Sequence, residues 1–430
     1  MLIWHFSTDD IIGGAAVAAF RLNQALNDAG QRSQMIVRYK KSEDDGVLQL
    51  PPLPPRPWQS RFNRLKNRIP GLKPREIKAD YTFNLDRPPE VDLQNLFDQT
   101  QASPDVICLH WTNGLLDARS IRRIYDHFRC PVVWVIHDLE PFTGGCHYSF
   151  GCDGFTKTCG SCPRLGSNDP RDHSHQTWRR KREYLASLPI CFVAPTSWGE
   201  ARVRQSLLFR HTRVERIPLP MDTRIFRPFD QRTAREVLQL PPDKKIILFG
   251  ATYLEDRRKG IDHLIEAFDL LTPLISNRRT IQSDRRPEEI FLLAVGQDGG
   301  RLMPKLPFAG RYLGHVSDEL MMALAYQAAD IFVCPSIEDS GPMMISEAML
   351  CETPVVAFNT GVAPDVIEHR VNGYLARYRD ISDLAEGMRT LLTNDDPMTM
   401  RASARSSAER LHVPRSVAER HIELYQSLRN

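Results

Sequence analysis

Four cysteines, Cys146, Cys152, Cys159 and Cys162, crowd into GGCHYSFGCDGFTKTCGSCP (144–163), in a chain that holds nine. The spacing C-x5-C-x6-C-x2-C suits four thiolates closing a tetrahedral zinc site, which leaves no open position for catalysis. An iron–sulfur cluster, disulfides and unligated thiols are the other readings. A second cluster lies in CPSIEDSGPMMISEAMLCETPVVAF (334–358). There a strand ends at Cys334-Pro335, Glu338 and Asp339 form an acidic loop, and Ser340-Gly341-Pro342 leads into a helix. The first-turn amides of Gly341, Met343 and Met344, with Pro342 shaping the turn and the helix dipole behind them, suit an anion such as a phosphate. Glu347, one turn further on, can accept hydrogen bonds from vicinal hydroxyls. Together these groups fit a phosphorylated, hydroxyl-rich ligand; the plain alternative is an ordinary strand–helix connection with a surface glutamate.

Three further sites carry chemistry-bearing residues. Arg258 and Lys259 sit in DRRKG, which by itself reads as a solvated charge cluster. Gly13-Gly14 follows the first strand, where glycines allow close backbone approach or a tight turn. The third glycine of a dinucleotide fingerprint is missing. His137 ends VVWVIH, and His110 and Asn113 lie in LHWTNG at the end of the neighbouring strand.

These residues need strand ends to position them, and the sequence supplies strands. LIWHF (2–6), SQMIVRY (33–39), DVICLH (105–110), VVWVIH (132–137) and ICFVAP (190–195) alternate with helical segments, the first being AAVAAFRLNQALNDAG. After the Pro-rich connector RIPLPMDTRIFRP (216–228) the pattern restarts: KIILFGA (245–251), the helix GIDHLIEAFDLL (260–271), IFLLAVG (290–296), the helix 318–330, IFVCP (331–335), the helix 343–351 and PVVAF (354–358). Alternation of this kind predicts parallel α/β sheets with sites at the strands' C-terminal ends. We expect domains at 1–218 and 219–410, with a C-terminal helix in 411–430 crossing back to the first.

The bulk numbers agree with two domains, since 430 residues exceed one ordinary core. Hydrophobic residues at 42% and charged residues at 25% describe a globular chain, and a net charge of +3 gives no case for nucleic acid. No stretch approaches the ~18 apolar residues of a spanning helix. The start, MLIWHFSTDDIIGG, reads as a strand and not as a leader, so a cytoplasmic, reducing location is expected. One segment stands apart. Residues 56–78 carry eight basic residues against Glu76 alone, a local balance of +7. A solvated loop, a basic arm near anionic lipid at the inner face of a bacterial inner membrane and a nucleic-acid arm are its three readings.

Residues 334–367 resemble the signature of family 4 glycosyltransferases: two acidic residues eight apart, then EAM and a PVVA strand. Asp339 stands where that family usually has glutamate, so it or the adjacent Glu338 takes the role. The resemblance implies two facing Rossmann-like domains with an interdomain cleft, the GT-B arrangement, and a nucleotide-sugar donor held in the second domain. It implies that Glu347 binds the ribose, and that the loop around Asp339 with the amides of Gly341 to Met344 holds the donor sugar and diphosphate. Lys259 matches the family's lysine; the family's arginine after the strand glycine is replaced by Ala251, and Arg258 is expected to supply that charge. The GG loop would face the diphosphate across the cleft, and His137 would touch the transferred sugar. VGQDGG and YLGHVS, with His315 and Val316, match the family's base-binding strands. His110 and Asn113 are weaker candidates on the acceptor side. The cysteine segment is similar to a subgroup from bacterial polysaccharide gene clusters, which suggests a lipid-linked or oligosaccharide acceptor. Transfer with retention and without a catalytic metal is implied, the cysteines being scaffold with zinc as their candidate ion. A sugar-nucleotide epimerase of the same fold and an inactive glycan-binding scaffold are the rival classes.

Overall fold

The computed structural model describes residues 1–53, 89–99, 102–276, 289–297, 299–341 and 343–429. Pro342 and the basic stretch 56–78 lie outside the described residues. The chain divides into two compact units. One comprises Met1–Pro195, Gly199–Ile217 and Ala418–Asn430; the other comprises Thr196–Trp198 and Pro218–Val417.

The first unit is built on seven parallel strands: β1 (Leu2–Asp9), β2 (Arg32–Tyr39), β3 (Val47–Gln49), β4 (Val106–Leu109), β5 (Val132–Val135), β6 (Ile190–Ala194) and β7 (Arg213–Arg216). Their order across the sheet is β3-β2-β1-β4-β5-β6-β7. The second unit repeats the plan with β8 (Lys245–Tyr253), β9 (Ile290–Gln297), β10 (Gly310–Tyr312), β11 (Ile331–Cys334), β12 (Val355–Phe358) and β13 (Gly373–Ala376), ordered β10-β9-β8-β11-β12-β13. In each sheet the chain starts in the middle, builds outward to one edge and then returns to build the other side. The crevice at such a reversal, outside the carboxyl ends of β1 and β4 or of β8 and β11, is where open α/β sheets bind ligands.

Burial on both faces explains why the central strands read as apolar runs. Every residue of β4, β5, β6, β11 and β12 is buried, as parallel sheets covered by helices require. Helix starts are fixed by aspartates: Asp117, Asp172, Asp230, Asp318, Asp380 and Asp396 each accept a hydrogen bond from a first-turn amide.

Several elements depart from the sequence reading. β1 runs on to Asp9, and the helix expected over 260–271 continues as Ile261–Ser276 through Pro273. The strand assigned to YLGHVS lies earlier, at Gly310–Tyr312, and residues 313–317 form the loop that follows it. Beyond Ala376 the helices are Ile381–Leu392, Pro397–His412 and Pro414–Arg429; the sequence reading places no helix at either of the first two.

Candidate functional site

In the C-terminal unit, two segments some eighty residues apart meet beyond β8 and β11, which are neighbours in the sheet. After β8 the chain makes a short turn, Arg257–Lys259, capped by Asp256, whose Oδ1 accepts the Arg258 amide at 3.0 Å. Gly260 ends the turn at φ 67, and a Cβ there would run into the carbonyl oxygen of Pro335. Only glycine combines that left-handed backbone with so close an approach. Ile337 N–H donates to the Arg258 carbonyl at 2.7 Å, which joins the two loops backbone to backbone.

Lys259 is thereby set over the acidic loop. Its Nζ donates to Asp339 Oδ2 at 2.5 Å, while Asp339 Oδ1 accepts the Gly341 amide at 3.2 Å. Burial would push the Asp339 carboxyl up, but the charge and hydrogen bond of Lys259, with Arg258 behind, hold it below the usual carboxylate range. Arg258 pairs directly with Asp256. Glu338 is buried beside them. The loop is braced by Thr196 of the same unit, whose hydroxyl donates to the Ser340 carbonyl at 2.8 Å.

The helix Met343–Leu350 follows at once. Met343 and Met344 pack on the unit's core, and Glu347, buried one turn in, accepts a hydrogen bond from the Tyr326 hydroxyl at 3.2 Å. Next to it Ser346 Oγ meets His412 Nε2 at 2.9 Å, and His412 Nδ1–H donates to the Leu219 carbonyl at 2.8 Å. Burial drops the His412 ring to about 4 against the weaker upward pull of the Leu219 carbonyl and Asp365. Val316 is half-buried against the same core, and His315 is exposed on the loop after β10. The sequence expectations thus meet at Lys259, Arg258, Asp339 and Gly341, with Glu347 on the helix that follows. Tyr326, which was not singled out, touches Glu347; in mid-helix it carries no signal that separates it from a core aromatic.

In the N-terminal unit, His110 follows β4 and His137 follows β5. His110 Nδ1 lies 3.0 Å from His137 Nε2, and His110 Nε2 lies 2.9 Å from Nδ1 of His5, a residue inside β1. Burial keeps all three rings neutral: His5 falls to about 3, His137 to about 4 against a small upward pull from Asp138, and His110 well below its ordinary value. A neutral imidazole offers one donor and one acceptor, so a chain of three forces correlated tautomers. Asp138 receives Trp111 Nε1–H at 3.0 Å and His147 Nδ1 at 2.5 Å. Burial would raise the Asp138 carboxyl, yet His147 holds it low; burial would lower His147, yet Asp138 raises it. His110, Asn113, Asp138 and His147 share the wall of a cavity of about 10 Å³. The Asn113 carbonyl accepts the Thr8 hydroxyl at 2.7 Å. Gly13, at φ 89, stands just before the helix Gly14–Asp28, beyond the end of β1. His5 is hidden inside an apolar strand sequence, whereas His147, next to Cys146, lies within a stretch already under suspicion.

No disulfide links any of the nine cysteines. Cys146, Cys152, Cys159 and Cys162 line one cavity of about 30 Å³. Among the described residues, the group of three metal-ligating side chains whose atoms lie within 4.8 Å of one another is His5, Cys108 and His110. Hydrogen bonding within the histidine chain already occupies that group. No helix among the described residues is long and apolar enough to cross a membrane.

Residues 230–410 match the family of glycosyl transferases group 1. A D-inositol 3-phosphate glycosyltransferase of Catenulispora acidiphila is 30% identical over 191 residues, 42% of each chain. The counterpart from Xylanimonas cellulosilytica is 31% identical over 204 residues, 45% of this chain and 43% of its own. The chain thus spans under half the length of the curated relatives it matches. Among solved structures, sucrose-phosphate synthase of Thermosynechococcus elongatus superposes with a TM-score of 0.67 at 19% identity, over 99% of this chain and 98% of its own. HepE of Anabaena, solved with UDP-glucose, gives 0.64 at 16% identity over the full length of both.

Proposed function

We propose that this protein transfers a sugar from a nucleotide-sugar donor to a glycan acceptor with retention of configuration, a reading supported by the match of residues 230–410 to group 1 glycosyl transferases and by the GT-B fold of two Rossmann-like units. One observation carries the reading: Lys259 lies 2.5 Å from Asp339 at the reversal point of the C-terminal sheet, next to the start of the Met343–Leu350 helix. A cation, first-turn amides and an inward carboxylate are what a nucleoside diphosphate linked to a sugar needs.

The roles follow from the chemistry. The bond between the donor's anomeric carbon and the β-phosphate oxygen breaks, and the acceptor oxygen bonds that carbon. Charge develops on the departing diphosphate, where Lys259, supported by Arg258, stabilises it. The amides at the helix start bind the diphosphate, while the Gly341 amide stays on Asp339. Glu347, oriented by Tyr326, accepts hydrogen bonds from the ribose hydroxyls. The acceptor's proton passes to the leaving phosphate oxygen, so no separate side-chain base is assigned. His137, kept neutral and oriented by His110, hydrogen-bonds a hydroxyl of the transferred sugar. HepE was solved with UDP-glucose, which makes uridine nucleotides the first donors to try. The cysteine-bearing segment favours a lipid-linked acceptor in polysaccharide assembly.

A thermal-shift series over nucleoside diphosphates and their sugars tests the donor site. At a hundred times its dissociation constant a ligand stabilises the fold by about 2.7 kcal/mol. One nucleotide should raise Tm in the wild type and lose that effect in Glu347→Ala. If no nucleotide or nucleotide sugar raises Tm, the reading is wrong. Conversion of the sugar nucleotide in the absence of acceptor would reassign the protein as an epimerase.

A further inference from the structure

Between β5 and the helix His173–Leu185 the chain runs from 136 to 172 with neither a strand nor an α-helix. It makes only the short turns Glu140–Phe142, Gly154–Thr156 and Pro163–Leu165. Segments of that length without regular structure are uncommon inside compact domains and need another source of order. Part of that order is apolar, with Leu139, Phe142 and Phe155 buried; at the cysteine end Cys162 packs against Cys146 and Leu165 in a cluster of its own. The sulfurs of Cys146, Cys152, Cys159 and Cys162 instead surround one cavity of about 30 Å³, room for a single small occupant.

The backbone around that cavity is shaped for sulfur. Phe150, Cys159 and Ser161 all adopt left-handed φ values, 50, 52 and 45, which side-chain-bearing residues take up only under constraint. The turns bring amides to the sulfurs: Gly154 N–H donates to Cys152 Sγ at 3.4 Å, and the Gly144 amide donates to Cys159. Hydrogen bonds of this kind stabilise a ligand's charge and fix its direction at metal centres. The helix His173–Leu185 pins the framework from below. Asp172 accepts the Cys162 amide at 2.7 Å, Ser174 accepts the Gly160 amide at 3.0 Å, and the buried Lys181 holds both Glu140 and the Thr143 carbonyl at 2.9 Å.

We propose that Cys146, Cys152, Cys159 and Cys162 form a structural site for one soft divalent ion, zinc, which cross-links the 136–172 segment. The sulfurs ring the cavity more widely than a closed tetrahedron, so binding turns them inward by side-chain rotation onto Zn–S bonds of about 2.3 Å. Four thiols lose their protons and no electron moves. With every coordination position filled by protein, the ion orders the segment that follows His137 and takes no part in bond breaking.

The full-length chain, purified without chelator, tests this by metal analysis and mercurial titration. Zinc should be present at close to one ion per chain, released in step with modification of four thiols. Cobalt exchanged into the site should give the ligand-field and charge-transfer bands of tetrahedral all-sulfur coordination. Cys159→Ser should lose the ion, whereas Cys130→Ser, outside the cavity, should retain it. If Cys159→Ser does not fold, the wild-type titration and the cobalt spectrum decide alone. Iron with acid-labile sulfide, disulfides among the four in freshly purified protein, or four thiols alkylated in native protein without metal release each overturns the site.

Discussion

The contact between Lys259 and Asp339 serves two purposes that a single substitution confounds. The lysine satisfies a carboxylate that is only 5% exposed, and in the proposed reaction it also meets the departing diphosphate. Lys259→Met removes both at once. Breaking a buried ion pair by deleting one partner costs about 3–5 kcal/mol, because the other charge is left uncompensated. Asp339 keeps the Gly341 amide and the nearby Arg258 charge, and the Lys259 side chain is 22% exposed. The loss should therefore sit at the lower end, about 3 kcal/mol. For a unit of this size that is roughly a 6–12 °C fall in Tm. The rate loss expected from removing one charge-stabilising group is two to three decades, about 3–4 kcal/mol.

A double-mutant cycle separates the two effects. Asp339→Asn alone removes the acceptor charge but leaves a side chain of nearly the same shape. Combining Lys259→Met with Asp339→Asn removes the orphaned charge, so most of the lost stability should return. The rate should not return, since the Lys259 ammonium is still missing from the diphosphate and Arg258 remains only in its supporting place. Denaturation midpoints and single-turnover transfer, measured on the four proteins, give both couplings. If the double variant recovers activity together with stability, Lys259 is only the partner of Asp339 and the proposed chemical role fails.

The other outcomes are quickly stated. Tyr326→Phe deletes one hydroxyl from the 3.2 Å contact with Glu347; it should weaken nucleotide binding about fivefold, near 1 kcal/mol, and unchanged affinity would detach Tyr326 from the site. Gly260→Ala meets both a left-handed backbone and the Pro335 carbonyl; calorimetry should show a loss above the roughly 1–2 kcal/mol of the backbone term, and a smaller loss would mean that the two loops are not joined there. His412, lowered to about 4 by burial, contributes stability above pH 6.5 that disappears as pH falls toward 4. At pH 5 the loss is about 2 kcal/mol, and His412→Gln should flatten the stability curve between pH 7 and pH 5. The segment 56–78, outside the described residues, should sediment the protein with anionic liposomes at low salt. Neutralising Arg61, Arg64, Lys66 and Arg68 together should abolish that, and persistence of binding would leave the segment a solvated loop.

How far the sequence could be read depended on how much of each feature is local. The central strands could be found because burial on both faces demands uninterrupted apolar runs, as in VVWV and IFVC. The edge strands β3, β7 and β10 could not, because VLQ, RVER and GRY are short and half solvated, and neither could β13, whose four residues GYLA are mostly buried but open on a glycine. Asp339 and Glu347 lie on one loop and the helix after it, so nine consecutive residues display them. Their partners do not share that locality: Lys259 reaches Asp339 across eighty positions, and Tyr326 reaches Glu347 from another helix. The histidine chain shows the same limit, with His5 reading as one more residue of a buried strand.

The reversal of strand order explains why such distant residues meet at all. In the C-terminal unit β8 and β11 are sheet neighbours, although β9 and β10 intervene in sequence. Whatever follows β8 must then emerge beside whatever follows β11. Arg257–Lys259 and Glu338–Asp339 occupy those two exits, and Gly260 removes the one atom that would hold them apart. In the N-terminal unit the same reversal sets β1 beside β4, so the Gly13-Gly14 turn and His110 come from neighbouring exits, with His137 one strand further along. The candidate chemistry of both units thus comes from one topological device used twice. The residues at its exits were legible as types before the fold was known, whereas their pairing required the sheet.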